Sequence, residues 1–298
     1  MKLLKYTLIF LMFLLNIPGK AQKVIEIPPI FEYPVAPEEL ESLKDRCNYI
    51  VANFWTPLNE KNNEPLNQIA LNDAFNVFLT SMIYADETTS IKAIDKLLDR
   101  ISGNPTLLIQ FTKAAEDNLY GPRSEIRSDD VYLKFLDAAI KNKKISKDRK
   151  EKFQQRAALL RSTAINAVPP TFSFTNLSGG DEKYFPMATP TLLIFGDPED
   201  MDWRLERLKM ESNITLNQLL EKGKINIIFI DITDRNDWEN SVSNYSKNWK
   251  VGKVKNIKDI YDIRRVPTLY LVNNEGKIIM KNQPLSTTLE TAMEIAGN

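Results

Sequence analysis

The side chains with the most chemical potential cluster in two short stretches. Thr189–Arg207, reading TPTLLIFGDPEDMDWRLER, passes from an apolar run into Asp197, Glu199, Asp200 and Asp202. Several carboxylates in one turn are the kind of ligand set a hard cation takes. The spacing, however, lacks the Asp-x-Asp-x-Asp-Gly order of a calcium loop. Carboxylates just ahead of a helix also satisfy its free N–H groups and its dipole, at about 0.3–1 kcal/mol each. The expectation is therefore helix capping, with no metal and no cofactor. The second stretch, Arg264–Lys281, reads RRVPTLYLVNNEGKIIMK and sets Arg265, Val266 and Pro267 immediately before another apolar run.

Two absences narrow the chemistry further. The chain has no histidine. Ser-His-Asp and Cys-His nucleophile systems, imidazole proton shuttles and His-containing zinc sites are thereby excluded. Its one cysteine, Cys47, can neither close an internal disulfide nor run a dithiol cycle within one molecule. Cys47 falls on an apolar helical stripe with Leu43 and Ile50, where a free thiol behaves as a small hydrophobe.

The elements that would position these residues divide into two blocks. Gln22–Pro37 is proline-punctuated and extended (IPPIFEYPVAP). From 38 to 166 the pattern is helical, with apolar residues recurring at helix spacing along six successive segments. The first carries Leu40, Leu43, Cys47, Val51 and Phe54, the second Phe75 to Ile83, the third Ile91 to Ile101. The fourth runs from Leu107 to Leu119 with a stop at Tyr120-Gly121-Pro122-Arg123, the fifth from Val131 to Ile140, and the sixth starts at the N-cap Ser146. Val168-Pro169-Pro170 ends this block, since a double proline cannot continue a helix. Beyond it, TFSFT, TLLIF and INIIFI read as strands, the last two buried on both faces. A helical stretch is expected over 201–222, another helix over 237–247, a hairpin at 268–272 and 277–281, and a final helix over 287–296. That order predicts a mixed sheet with helices on both faces.

On these residues the second block, 168–298, resembles the exported thioredoxin-like proteins of the thiol-disulfide exchange type. In that family an apolar strand leads through an aromatic-x-Asp-Pro turn to a Cys-x-x-Cys pair at a helix N-terminus. Here the strand is Thr191–Phe195, the turn is Phe195-Gly196-Asp197-Pro198, and the two cysteine positions fall on Asp200 and Trp203. Val266-Pro267-Thr268 matches the cis-proline loop, and Leu271–Ile279 the terminal hairpin. The whole chain also looks like a group of Gram-negative exported proteins with a helical domain of unknown function ahead of such a domain. Asn48–Trp55 (NYIVANFW) then sits at the aromatic-ended helix of that domain. The departure from the family concerns the sulfur. Thiol exchange needs a thiolate to attack and a second thiol to resolve; Asp200 and Trp203 supply neither. The fold class expected is a helical bundle followed by a thioredoxin-like mixed-sheet domain. The function expected is non-catalytic: a peptide- or protein-binding or scaffold module whose groove is flanked by Trp203, Arg265, Val266 and Pro267. The alternative is a member of an envelope thiol-disulfide pathway acting through a partner.

Location and partner class follow from the remaining sequence. Lys2 and Lys5 precede the apolar run Tyr6–Leu15, and Pro18 to Ala21 form a small-residue exit. This reads as a signal peptide over 1–21, cleaved before Gln22, with a retained N-terminal anchor as the rival reading; the apolar run is too short to span a bilayer comfortably. The whole chain holds 39 basic and 39 acidic residues; losing Lys2, Lys5 and Lys20 leaves 36 against 39. That balance gives no reason to expect nucleic acid as a partner. The expected partner is an envelope protein or peptide, in the periplasm or cell envelope of a Gram-negative bacterium.

Overall fold

The computed structural model describes residues 27–62, 64–121 and 124–297. The expected leader and cleavage point, and Pro122-Arg123 of the expected helix stop, lie outside the described residues. No helix among the described residues is long and apolar enough to cross a membrane.

The first block is helical: α1 (Leu43–Asn53), α2 (Gln68–Tyr84), α3 (Glu87–Ile101), α4 (Pro105–Ala115), α5 (Asp129–Lys141) and α6 (Lys147–Ser162). A single π turn, Glu116–Tyr120, extends α4 and ends at Gly121. Short polar caps start these helices: Ser42, Asn67, Asn104 and Ser128 each accept a backbone N–H with the side chain. Their apolar faces converge on one core, in which Phe54, Trp55, Phe75, Phe78, Phe111 and Phe135 pack edge to face. Cys47 is a free thiol buried in α1. The expected stripe of the first helix shifts, because Leu43 opens the helix and is exposed, and burial begins at Cys47.

The second block is one seven-stranded sheet. Its strands are β1 (Phe172–Asn176), β2 (Asp181–Tyr184), β3 (Thr191–Gly196), β4 (Asn226–Asp231), β5 (Lys250–Lys253), β6 (Thr268–Val272) and β7 (Ile278–Lys281), in the order β2-β1-β5-β4-β3-β6-β7. The β3–β4 and β4–β5 pairs are parallel and the others antiparallel. Side-chain alternation splits the sheet into two packed faces. Leu192, Ile194, Phe229 and Leu271 meet α7 (Met201–Glu211), α8 (Ile214–Glu221), α9 (Trp238–Val242) and α10 (Leu285–Gly297). Leu193, Phe195, Ile230 and Tyr270 meet the 3₁₀ turn Ile257–Asp259 and the segment after it.

Several expected elements change. The helical stretch over 201–222 is two helices, because Asn213 caps α8 through the Leu216 N–H and breaks the path. The helix expected over 237–247 shrinks to Trp238–Val242, and β5 appears just after it. Gly252 is what lets β5 in: a Cβ there would lie 2.2 Å from the Phe174 ring on β1.

The two blocks share a polar seam. Backbone bonds join Asn166 and Ala167 to Ile278 of β7. Asp129, at the start of α5, pairs with Arg264 and lies 2.8 Å from Lys281. Both cations also bind the fully buried Asp262, at 2.5 and 2.7 Å. Tyr120 donates to Asp262 at 2.8 Å, and its ring lies between the guanidinium groups of Arg156 (4.2 Å) and Arg264 (4.3 Å).

Candidate functional site

At the carboxyl end of β3 the chain turns into α7 through Asp197–Asp200. Gly196 is required at the bend, since a Cβ would come within 2.7 Å of the Phe229 ring. The acidic residues that follow are almost all committed within the protein. Asp197 takes a two-point bond from Arg235, at 2.7 and 3.1 Å, and accepts the Glu199 N–H. Burial works to raise the Asp197 carboxyl, but these bonds outweigh it and hold it below its ordinary range. Glu199 pairs with Arg204. Asp200 is the N-cap of α7 and accepts the Trp203 N–H at 2.8 Å. Capping accounts for Asp200 as the sequence suggested.

Trp203 corrects an expectation. The resemblance sets it on the wall of a groove, but its side chain is fully buried. The indole stacks on Phe229 with centroids 5.2 Å apart and planes 10° from parallel, and its Nε1–H donates to Tyr245 Oη at 2.8 Å. The reason is helical phase. Trp203, Arg207 and Met210 recur on one face of α7 and are buried, whereas Asp202, Glu206 and Lys209 face the neighbouring groove. The Trp203 side chain is therefore part of the core, and the residue beside it in sequence, Asp202, is the one that meets the groove.

Across that groove lies the loop before β6. The Val266–Pro267 peptide is cis. Val266 is exposed, and among the described residues its backbone pairs with no other backbone group. Arg265 reaches back to the Asn282 carbonyl at 3.2 Å, and its own carbonyl accepts the Thr268 hydroxyl. Arg265, Val266 and Pro267 share with Asp202, Leu285, Leu289 and Met293 a groove of about 680 Å³ between α7 and α10. The structure thus brings together three of the four residues assigned to a binding surface and takes the fourth inside.

A second cavity of about 670 Å³ opens at the carboxyl ends of β4 and β5, lined by Thr233, Asp234, Lys253 and Lys258. Below it, burial pushes the Asp231 carboxyl up against the opposing pull of the Thr233 bonds, the first of them from the backbone N–H at 2.7 Å. The lining offers no thiol and no imidazole.

With this geometry in hand, comparison with known proteins places both blocks. Residues 16–163 match the family described as "Domain of unknown function (DUF5106)". The chain superimposes on a thioredoxin-like protein from Bacteroides caccae ATCC 43185 with a TM-score of 0.69. The two are 22% identical, over 90% of this chain and 99% of that one. The thioredoxin domain of a thiol-disulfide oxidoreductase from Bacteroides vulgatus aligns at 23% identity and a TM-score of 0.39, covering 45% of this chain and 98% of that one. No curated protein matches the chain. The chain joins a DUF5106-type helical region to a thioredoxin-like fold.

Proposed function

We propose that the chain is an exported, non-catalytic thioredoxin-fold protein that holds an extended peptide segment of an envelope protein in the groove between α7 and α10. One observation carries the reading: the two flanks of the groove have diverged. Where thiols would stand, Asp200 caps a helix and Trp203 fills the core, so no atom can attack or resolve a disulfide. Opposite them, Val266 keeps its backbone free and lies over an apolar floor that includes Leu269, Leu285 and Leu289. A strand laid along Val266 would gain main-chain hydrogen bonds for affinity, and the floor would select its side chains.

Two assays test this. Insulin reduction with dithiothreitol should proceed at the background rate. A fluorescein-labelled, terminally capped, Val-rich peptide should bind the purified chain and lose binding in Val266→Asp. Turnover above background, or no binding of any extended peptide, overturns the reading.

A further inference from the structure

Helix α7 carries apolar side chains on two faces, and only one of these faces is covered. Trp203, Arg207 and Met210 turn inward, while Asp202, Glu206 and Lys209 meet the groove. The third face repeats at helical spacing as Met201, Leu205 and Leu208, whose exposures are 65%, 53% and 54%. A surface helix ordinarily turns polar residues to water. Single exposed apolar side chains are common, but three aligned along one 11-residue helix mark a contact surface.

The charges beside this stripe say what fits it. Among the described residues, the ion pairs of α7 are Arg204–Glu199, Arg207–Glu211 and Lys209–Glu206, the last at 2.7 Å. Asp202 is left without a counter-charge. The two cations beside the stripe, Arg204 and Lys209, are each spoken for by an acid. A helix that lies on an anionic membrane instead shows many free cations on its polar side.

The pattern is its own complement. Set α7 antiparallel on the α7 of a second copy, about a two-fold axis at Leu205. Met201 then meets Leu208 of the second copy, and Leu205 meets its own counterpart. On such an axis each flank faces the same flank of the copy. Asp202 and Lys209 share the groove-side flank, so Asp202 meets Lys209 of the second copy, twice by symmetry. The apolar stripe and the charges therefore demand the same register.

We propose that α7 is the contact of a weak homodimer, antiparallel on the α7 of a second copy, with Asp202 and Lys209 paired across it. This does not rest on the peptide-binding reading. Because Asp202 lines the groove, the pairing sets Lys209 of the second copy at the groove's edge. Three side chains per copy bury well under the about 800 Å² per partner of a standard interface, so association is weak and concentration-dependent.

Sedimentation velocity of the purified chain from about 1 to 300 μM tests this, and half-conversion to dimer is expected between about 10 and 100 μM. Leu205→Glu sets two carboxylates at the axis and should weaken association at least about tenfold. Asp202→Lys or Lys209→Glu alone should weaken it about threefold, and the two exchanges together should restore it to within about twofold. Melting curves on dilute protein should be nearly unchanged in every variant, since all three positions are exposed. A monomer at every concentration overturns the proposal. So does association that Leu205→Glu leaves intact, or that the double exchange fails to restore. A chain that stays monomeric but floats with phosphatidylglycerol vesicles, and loses them in Leu205→Glu, overturns it too and assigns the stripe to a membrane.

Discussion

The N-terminus of α7 and the Arg265–Pro267 loop face one groove, yet their side chains are tied down in different ways. On the α7 side, Asp197, Glu199 and Asp200 are each bonded within the domain, and Trp203 is part of the aromatic core with Phe229 and Tyr245. On the loop side, Val266 is exposed, while Arg264, two residues earlier, is almost buried in a charge cluster that reaches into the helical block. One flank is spent on capping and packing. The other presents an exposed surface and is tied to the helical block by charge. The contrast teaches that two flanks of one groove can be fixed by different means, burial on one side and ion pairing between blocks on the other.

The sharpest way to break this contrast is Trp203→Ala. It should cost about 3–5 kcal/mol, since it empties the space over Phe229 and leaves the Tyr245 hydroxyl without its donor. Urea unfolding measures this, and a loss below about 1 kcal/mol would mean that α7 does not anchor its flank through the indole. Asp262→Asn comes next, at about 3 kcal/mol, because Arg264 and Lys281 would share only Asp129.

The same residue gives a pH dependence. Burial alone would raise the Asp262 carboxyl, but Arg264 and Lys281 overcome it and hold it at about 2, against an ordinary 3.8. A carboxyl depressed by folding stabilises fully above its unfolded value and loses that contribution as pH falls through its folded one. Stability should therefore drop by about 2 kcal/mol between pH 4 and below pH 2. Asp262→Asn should flatten that part of the curve, and an unchanged acid limb would assign it elsewhere.

Smaller effects sharpen the comparison. Asp200→Ala should cost about 1 kcal/mol, the usual loss of an N-cap, and should leave peptide binding intact. Val266→Asp should change stability by less than about 0.5 kcal/mol, as an exposed position allows, while removing binding. A reversal of these two outcomes would exchange the roles assigned to the flanks.

Much of the fold was legible because apolar runs and helix stops carry it. TLLIF and INIIFI were recognisable as strands because both of their faces are covered, and Ser146 does open the sixth helix. β2 was not, because DEKY buries only Tyr184 and has no apolar pattern. β5 escaped for a related reason: KVGK turns only Val251 and Gly252 inward, and glycine leaves no hydrophobic mark. At the site, matching motifs located Asp200 and the proline loop but misplaced Trp203. Its spacing to Arg207 and Met210 was a readable sign that this face of α7 turns inward. The Asp129–Arg264 pair could not be read at all, since 135 residues separate its partners and nothing local distinguishes either charge.

The Tyr120 ring, gripped by one guanidinium from its own half and one from the other, bears on how the molecule comes apart. Its hydroxyl is fixed to Asp262, and the connecting chain is stitched to the last hairpin through Ile278. Neither half is then a portable cassette. A cut between them would take Asp129 from Arg264 and Lys281, take the Tyr120 donor from Asp262 and strip β7 of neighbours, so heat should dissolve the whole chain in one cooperative step.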